Sequence, residues 1–193
     1  MTQYIAFLRA INVGGHTVKM DHLRRLFEEM GFSQVATFIA SGNVSFQTDG
    51  APDDLSDDLP GGVRGLEEGI ERHLQAALGY EVATFLRTPR ELAVAAQYQP
   101  FGPLDPEDKA HSLFVAFLPQ APAPEAHSRL LALRSAVDDF HVQGREAWWL
   151  RRNGVGPSKF SGGALEKALR LPATMRNVTT VRKLAALYPA PDA

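Results

Sequence analysis

The sequence predicts an α+β protein made of two ferredoxin-like subdomains, each a split βαβ unit whose antiparallel sheet carries helices on one face. Two observations lead to this prediction. The apolar patterns of the first half follow the order β-α-β-β-α-β, which is the order of that fold. The second half repeats part of this order and ends with an extra helix. We therefore predict an N-terminal subdomain over residues 1–88 and a C-terminal subdomain over residues 89–193.

The elements of the first half follow from hydrophobic spacing. A continuous apolar run predicts a buried strand, and apolar residues at i, i+3, i+4 and i+7 predict an amphipathic helix. Glycines end both helices, and Ser41-Gly42-Asn43 forms the turn of a hairpin. The predicted elements are a strand over 4–8, a helix over 20–30, a hairpin over 35–46, a helix over 66–78 and a strand over 82–86.

The same rules predict the elements of the second half. They are a helix over 90–97, a strand over 113–118, a helix over 130–137, paired strands over 140–143 and 147–150 around Gly144, and helices over 165–169 and 181–188. The strands over 4–8 and 113–118 are apolar throughout, so both of their faces need cover. We therefore expect the two halves to pack together and cover each other, with a ligand cleft between them.

Composition excludes several classes of protein. With 45% apolar residues the chain can bury a core, which excludes a disordered protein. The absence of Cys excludes disulfides, thiolate catalysis and Cys-bound zinc. The N-terminus lacks the basic lead of a signal peptide, and no apolar run approaches the roughly 18 residues of a membrane span. We predict a cytoplasmic protein with no membrane partner.

Charge is distributed unevenly although the formal net charge is only −2. Residues 49–71 contain eight acidic side chains and one basic one, whereas residues 145–183 contain nine basic and two acidic ones. Because local charge steers charged ligands, we expect an anion at the basic region. The acidic side chains lie mostly in residues 48–65, where Pro and Gly predict a mobile surface loop.

The first candidate binding segment joins the first strand to the first helix. Its paired glycines would let backbone N–H groups face an anion, and Lys19 would add a full charge at the helix N-terminus. It matches neither a P-loop nor a dinucleotide fingerprint, and the alternative is that the glycines only permit positive φ. The candidate residues are Arg9, Asn12, Gly14, Gly15 and Lys19.

The second candidate consists of two helix entries in the basic region. Arg176 offers a planar fork to a phosphate and Lys159 a point charge. The alternative is that Ser158 or Thr179 merely caps a helix. The candidate residues are Ser158, Lys159, Arg176 and Asn177.

The Ser41-Gly42-Asn43 turn is a third motif, which we interpret as a turn that needs positive φ. We expect it to lie at the opposite end of the sheet from Gly14 and Gly15.

Signatures of catalysis are few in the sequence. The six His residues lack the spacing of a metal site, so we predict no metal and no cofactor. No Gly-x-Ser-x-Gly nucleophile elbow occurs. Asp138 and Asp139 are expected to point to opposite sides or into solvent, and Trp148 and Trp149 to opposite faces of a strand. Whether the protein binds a ligand or also transforms it stays open, and so does its oligomeric state.

Several motifs together resemble the domain-of-unknown-function family 1697. They are Arg9-Ala10-Ile11-Asn12-Val13-Gly14-Gly15, Lys19-Met20, Ser41-Gly42-Asn43-Val44, and Thr174-Met175-Arg176-Asn177 with Thr180. The resemblance runs along nearly the whole chain and implies two ferredoxin-like subdomains in a mostly bacterial, cytoplasmic family, without an established reaction. Ala10 stands where the family leads us to expect Gly, and Val178 where we expect an aromatic residue.

The leading functional hypothesis is binding or turnover of a small anionic, phosphorylated or nucleotide-like ligand in the cleft, between the two candidate segments. One alternative is single-stranded nucleic-acid binding on a ferredoxin-like sheet, although no RNP-like strand motif occurs. The other is a protein-interaction or regulatory module without catalysis, whose acidic loop meets a basic partner such as a second copy.

Overall fold

The computed structural model describes residues 1–12, 14–40, 42–49, 62–104 and 109–191. These residues form two compact units, Met1–Arg90 together with Pro191 (unit 1) and Glu91–Ala190 (unit 2). Each unit contains a four-stranded antiparallel sheet, and six helices accompany the two sheets in the described part of the chain. The predicted α+β class with two ferredoxin-like units is confirmed.

Unit 1 has the element order of a split βαβ fold. Its elements are β1 (Thr2–Leu8), α1 (Met20–Glu29), β2 (Ser33–Phe38), β3 (Asn43–Thr48), α2 (Gly62–Leu78) and β4 (Thr84–Arg87). The sheet order is β2-β3-β1-β4, and each neighbouring pair is antiparallel. The first strand is therefore central, between the third and the fourth.

Unit 2 repeats this arrangement after α3 (Pro89–Gln97), the helix that follows β4. Its elements are β5 (His111–Phe117), α4 (Pro124–Leu131), β6 (Asp138–Gln143), β7 (Glu146–Arg152), α5 (Gly162–Leu169), β8 (Thr174–Asn177) and α6 (Val178–Leu187). The sheet order β6-β7-β5-β8 corresponds to that of unit 1, strand for strand.

The core of unit 1 lies between one face of its sheet and helices α1 and α2. Tyr4, Ala6 and Leu8 alternate along β1 on this face. The Phe46 ring of β3 lies 5.5 Å from that of Phe27 in α1, measured between ring centroids. Further buried members come from both helices: Leu23, Leu26, Ile70 and Leu74. The apolar period of each predicted helix thus marks its buried face.

In unit 2 adjacent residues take opposite faces of the sheet. Trp149 belongs to the core cluster on the α4 and α5 side, and its Nε1 donates to Asp138 Oδ1 at 2.8 Å. Trp148 lies on the other face, where its ring centroid is 4.7 Å from that of Tyr98. Asp139 pairs instead with Arg134 at 2.8 Å and with Arg152 at 3.1 Å. Both adjacent pairs therefore separate as expected from strand geometry.

The second face of each sheet is buried as well. The alternation along the strands places six large apolar side chains on these faces, each at most 2% exposed: Ile5, Phe7, Phe85, Val115, Phe117 and Trp148. This explains why β1 and β5 are apolar along most of their length.

The outer edge of β4 is bonded by carboxylates from α2. Glu67 Oε1 accepts a hydrogen bond from the Leu86 N–H at 2.8 Å, and Glu71 Oε1 accepts one from the Thr84 N–H at 2.9 Å. Arg64 lies 3.2 Å from a carboxylate oxygen of each glutamate. The Glu67 side chain is only 1% exposed, and the half-exposed Arg64 guanidinium supplies an opposite charge, which a buried carboxylate needs.

Three predicted elements need correction. The helix predicted over 130–137 is α4, which begins at Pro124 because proline suits the first helical turn. Residues 174–177 form a strand rather than a helix entry. Residues 62–65 of the predicted loop belong to α2, and the loop prediction for residues 50–61 lies outside the described residues.

Within the described ranges, no helix combines the length and the apolar character that crossing a bilayer requires.

Candidate functional site

The loop after β1 and the turn before β3 lie side by side at one end of the unit 1 sheet. Because β1 and β3 are antiparallel, Phe7 near the end of β1 pairs with Asn43 at the start of β3. The Leu8 N–H donates to the Gly42 carbonyl at 2.8 Å. The expectation that turn and loop lie at opposite ends was therefore wrong, since it overlooked this strand pairing. Two family-like motifs meet here, although Ser41 itself lies outside the described residues.

Asn12 fixes the loop to the turn. Its Nδ2 donates to the Ala40 carbonyl at 2.9 Å, and its Oδ1 accepts from the Val18 N–H at 2.6 Å. Gly42 has φ +76°, and a Cβ atom there would lie 2.6 Å from Ile11 Cγ2. Only glycine fits this contact. Both polar atoms of the Asn12 amide bond to protein, so this candidate binding residue positions the loop.

The backbone of the loop is left-handed at three described positions. Gly14 and Gly15 have φ of +68° and +89°, and an added Cβ would meet nothing within 4 Å, so they are needed for conformation rather than for space. Ala10 has φ +57°, a conformation that costs an L-residue about 1–2 kcal/mol. This explains why the family resemblance leads to an expectation of glycine at position 10. Arg9, beside it, has an exposed side chain.

Tyr80 supports the loop from the residues that follow α2. Its hydroxyl donates to the Ile11 carbonyl at 2.9 Å, and burial raises the pKa of this phenol. The imidazole of His16 stacks on the Tyr80 ring, with centroids 3.8 Å apart and planes inclined by 20°. The loop is thus held by one amide side chain and one phenol.

A groove of about 530 Å³ lies between this loop, the start of α1 and the end of α2. We call it the α1 groove. Lys19 occupies the N-cap position of α1 and makes no side-chain cap hydrogen bond. No carboxylate occurs among the described residues that line the groove. These lining residues are Gly15, His16, Thr17, Val18, Lys19, His22, Ala77, Leu78 and Tyr80.

Of the candidates in the basic region, Ser158 is engaged in a structural contact. Its hydroxyl donates to Asp138 Oδ1 at 2.8 Å and accepts from the Phe160 N–H at 3.1 Å. The N-cap of α5 is Ser161, not Ser158. Lys159 next to it is exposed. Ser158 therefore anchors the loop that carries Lys159.

Arg176 and Asn177 also bond within unit 2. Arg176 is 7% exposed, and its Nη1 donates to Thr174 Oγ1 at 2.7 Å and to the Met175 carbonyl at 2.9 Å. Burial lowers the pKa of Arg176 to about 10, which leaves the guanidinium charged at neutral pH. Asn177, rather than Thr179, caps α6 by accepting from the Thr179 N–H at 2.8 Å.

Of the five predicted residues of unit 1, the structure places Gly15 and Lys19 on the α1 groove. The sequence-based prediction missed His16, His22 and Tyr80. The two histidines precede and follow Lys19 by three residues, a spacing that could have indicated a basic helix entry. Tyr80 had no such signal, because only the packing of α2 beside the loop brings it there.

A group of three or more His, Asp or Glu side chains able to hold a metal ion is not found among the residues that the structure describes.

Comparisons with known proteins agree with this fold. A family model described as "Protein of unknown function (DUF1697)" matches residues 1–148, which leaves Thr174–Asn177 and Val178 outside the match. The conserved bacterial protein SP0830 from Streptococcus pneumoniae has a similar structure, with a TM-score of 0.69 and 20% identity. The similarity covers 98% of this chain and 99% of that one. A search of curated proteins returns no match.

Proposed function

Because the chain belongs to the DUF1697 family of proteins of unknown function, we propose its function from the geometry of the α1 groove: it binds a small anionic, phosphorylated ligand there. The observation that carries this proposal is the described groove lining, in which one lysine and two imidazoles occur without a carboxylate. We assign binding and no reaction.

The charges around the groove favour an anion. Lys19 is exposed and supplies a full positive charge. It stands at the start of α1, where the partial positive charge of the helix adds to that of the ammonium group. Asp21 in the first turn is exposed and does not line the groove. A phosphate in the groove would therefore meet donors and positive potential without an opposing carboxylate from the described lining.

A thermal-shift experiment tests the proposal. The wild-type protein is heated with inorganic phosphate, ribose 5-phosphate and nucleoside monophosphates, each in excess. At least one probe should stabilise it, by about 2.7 kcal/mol if present at one hundred times its Kd. The Lys19→Ala variant should lose this stabilisation, whereas Lys183→Ala, which removes an exposed lysine from α6, should keep it.

Two results would contradict the proposal: no stabilisation by any phosphorylated probe, or full stabilisation of Lys19→Ala. Lys159→Ala tests the other exposed lysine among the candidate residues, and the stabilisation should survive this change because Lys159 does not line the α1 groove. We also propose that the protein is cytoplasmic, since phosphorylated metabolites are found in that compartment.

The nucleic-acid alternative receives less support. Base stacking on a ferredoxin-like sheet needs exposed aromatic side chains, but Phe7, Phe85, Phe117 and Trp148 are buried. A titration of RNA binding against salt tests it, because an electrostatic binder loses affinity steeply as salt rises.

A further inference from the structure

The α1 groove has two chemically different walls. One carries the basic side chains at the start of α1, Lys19 and His22. The other is formed by the end of α2 and the residues after it, where Ala77, Leu78 and the Tyr80 ring are apolar or aromatic. An inorganic phosphate would use only the basic wall. The whole lining suits a ligand that joins an anionic group to a flat apolar body.

The aromatic side of the groove is already organised for stacking. The Tyr80 hydroxyl is bonded to the Ile11 carbonyl at 2.9 Å, which holds the ring in place. The His16 imidazole, itself a planar heteroaromatic ring, lies parallel to Tyr80 within 20° at 3.8 Å. His16 is exposed, so a further ring can reach the pair. Stacking of this kind does not depend on which nucleobase is present, since every nucleobase has a flat π-face.

Size and charge narrow the ligand class further. The groove volume of about 530 Å³ lies within the usual range for small-molecule sites and exceeds what a single phosphate fills. Among the described lining residues, Lys19 is the one side chain with a permanent positive charge. It precedes His22 by three residues, so both lie on one side of the first turn. One phosphate group matches this lining better than a pyrophosphate.

We propose that the ligand is a nucleoside monophosphate or a similar planar heteroaromatic ring joined to one phosphate. This inference rests on the proposed function of the α1 groove. The base adds to the His16–Tyr80 stack, and the phosphate lies at the Lys19 and His22 side.

Calorimetric titration with AMP, UMP and ribose 5-phosphate tests the proposal. Wild-type protein should bind at least one of the two nucleotides about tenfold more tightly than ribose 5-phosphate, since a stacked base contributes strongly to affinity. Tyr80→Leu and His16→Ala should remove most of this difference. Tyr80→Phe keeps the ring and should retain it, which separates stacking from the bond to Ile11. His16→Ala changes an exposed side chain, so it remains informative if Tyr80→Leu fails to fold.

Each outcome has a defined meaning. If ribose 5-phosphate binds as tightly as both nucleotides, or if His16→Ala keeps the full nucleotide preference, the stacking inference is overturned while the phosphate site stands. If none of the three probes binds, the nucleotide inference is overturned, and the proposed function fails with it when inorganic phosphate also gives no thermal stabilisation.

Discussion

The two units build the same sheet but differ in the connection between the central strand and the next helix. Eleven residues, 9–19, connect β1 to α1 in unit 1, whereas six residues, 118–123, connect β5 to α4 in unit 2. Both connections start from the same backbone hydrogen bond. The Leu118 N–H donates to the Arg145 carbonyl at 2.9 Å, as the Leu8 N–H does to the Gly42 carbonyl at 2.8 Å. The longer loop of unit 1 is therefore an elaboration of a common scaffold, and it supplies one wall of the α1 groove.

A second groove of about 410 Å³ occupies the corresponding place in unit 2, beside the start of α4 and the end of α5. Here the charges are mixed, since Glu125 lines the groove with Arg129 and Arg170. The Arg129 Nε donates to the Ala168 carbonyl at 3.0 Å. This carbonyl is one of the last four of α5, which have no partner within the helix. At this position unit 2 uses an arginine to stabilise the end of a helix, whereas in unit 1 we propose ligand binding.

The largest effect is expected where the elaborated loop touches the turn. Gly42→Ala should destabilise the protein by about 3 kcal/mol, because the new Cβ adds a steric clash to the strain of positive φ. The control Gly154→Ala in unit 2 has φ +81° but open space, so its cost should be about 1 kcal/mol. Urea unfolding measures both. Equal costs for the two variants would show that the contact with Ile11 relaxes freely.

The next largest difference in stability is expected where helix carboxylates bond to the backbone at the edge of each sheet. In unit 2 the carboxylate of Glu166 in α5 accepts from the Ala173 N–H at 2.8 Å, whereas two carboxylates bond β4 in unit 1. Glu67→Ala should cost about 2 kcal/mol, because the Leu86 N–H loses a buried acceptor. Glu166→Ala should cost about 1 kcal/mol, since Glu166 is only partly buried. Urea unfolding in which Glu166→Ala is the more harmful variant would reverse this ranking.

A substitution at Ala10, in the longer loop, is expected to stabilise the protein. Ala10→Gly should raise the free energy of unfolding by about 0.5–1 kcal/mol, since relief of the left-handed strain exceeds the added entropy of the unfolded chain. Ala121→Gly in the shorter connection of unit 2 should lower it by about the same amount, because Ala121 has negative φ. Thermal unfolding compares the two, and destabilisation by Ala10→Gly would contradict the argument.

The smallest expected effect is a dependence of stability on pH through His141 in unit 2. His141 accepts or donates a 2.8 Å hydrogen bond with the Tyr98 hydroxyl, whereas the corresponding position on β2 is Ala36. Burial, followed by the charges of His127 and Arg134, lowers the pKa of His141. The unfolded chain therefore binds this proton more readily, and stability is lost as pH falls through and below the ordinary histidine pKa near 6.5.

Thermal unfolding of wild type and His141→Gln at pH 7.5 and 5 checks this dependence. Glutamine can still bond to Tyr98 but does not titrate in this range. The wild-type protein should lose more stability than the variant between the two pH values. A larger loss in the variant would mean that protonation of His141 stabilises the folded state, contrary to the lowered pKa.

The sequence was sufficient for most of the fold because the signals are local. The helical spacing of Leu23, Leu26 and Phe27 can be recognised within two turns of α1. The continuous apolar run of β1 can be recognised within one strand. It failed where no such signal exists. The four residues Thr174–Asn177 show no apolar alternation, and they form a strand only because β5 pairs with them.

The candidate site was predictable only in part, for a related reason. The glycines and Lys19 are close together in the sequence and indicated the loop, but Tyr80 reaches it through tertiary packing. The sequence also could not show that the polar groups of Ser158 and Arg176 form hydrogen bonds within unit 2. A cationic or hydroxyl side chain indicates what it can bind, and the fold decides whether it remains available.

The carboxylates along β4 have one more consequence, for behaviour at high concentration. A bare edge strand is a template on which strands of other molecules can add. In unit 1 the outward N–H groups of Thr84 and Leu86 are already occupied by α2. At the opposite edge, β2 is interrupted by a register shift between Ser33 and Ala36, with Gln34 at φ +50°. With one edge occupied and the other irregular, this sheet is a poor seed for aggregation by strand addition.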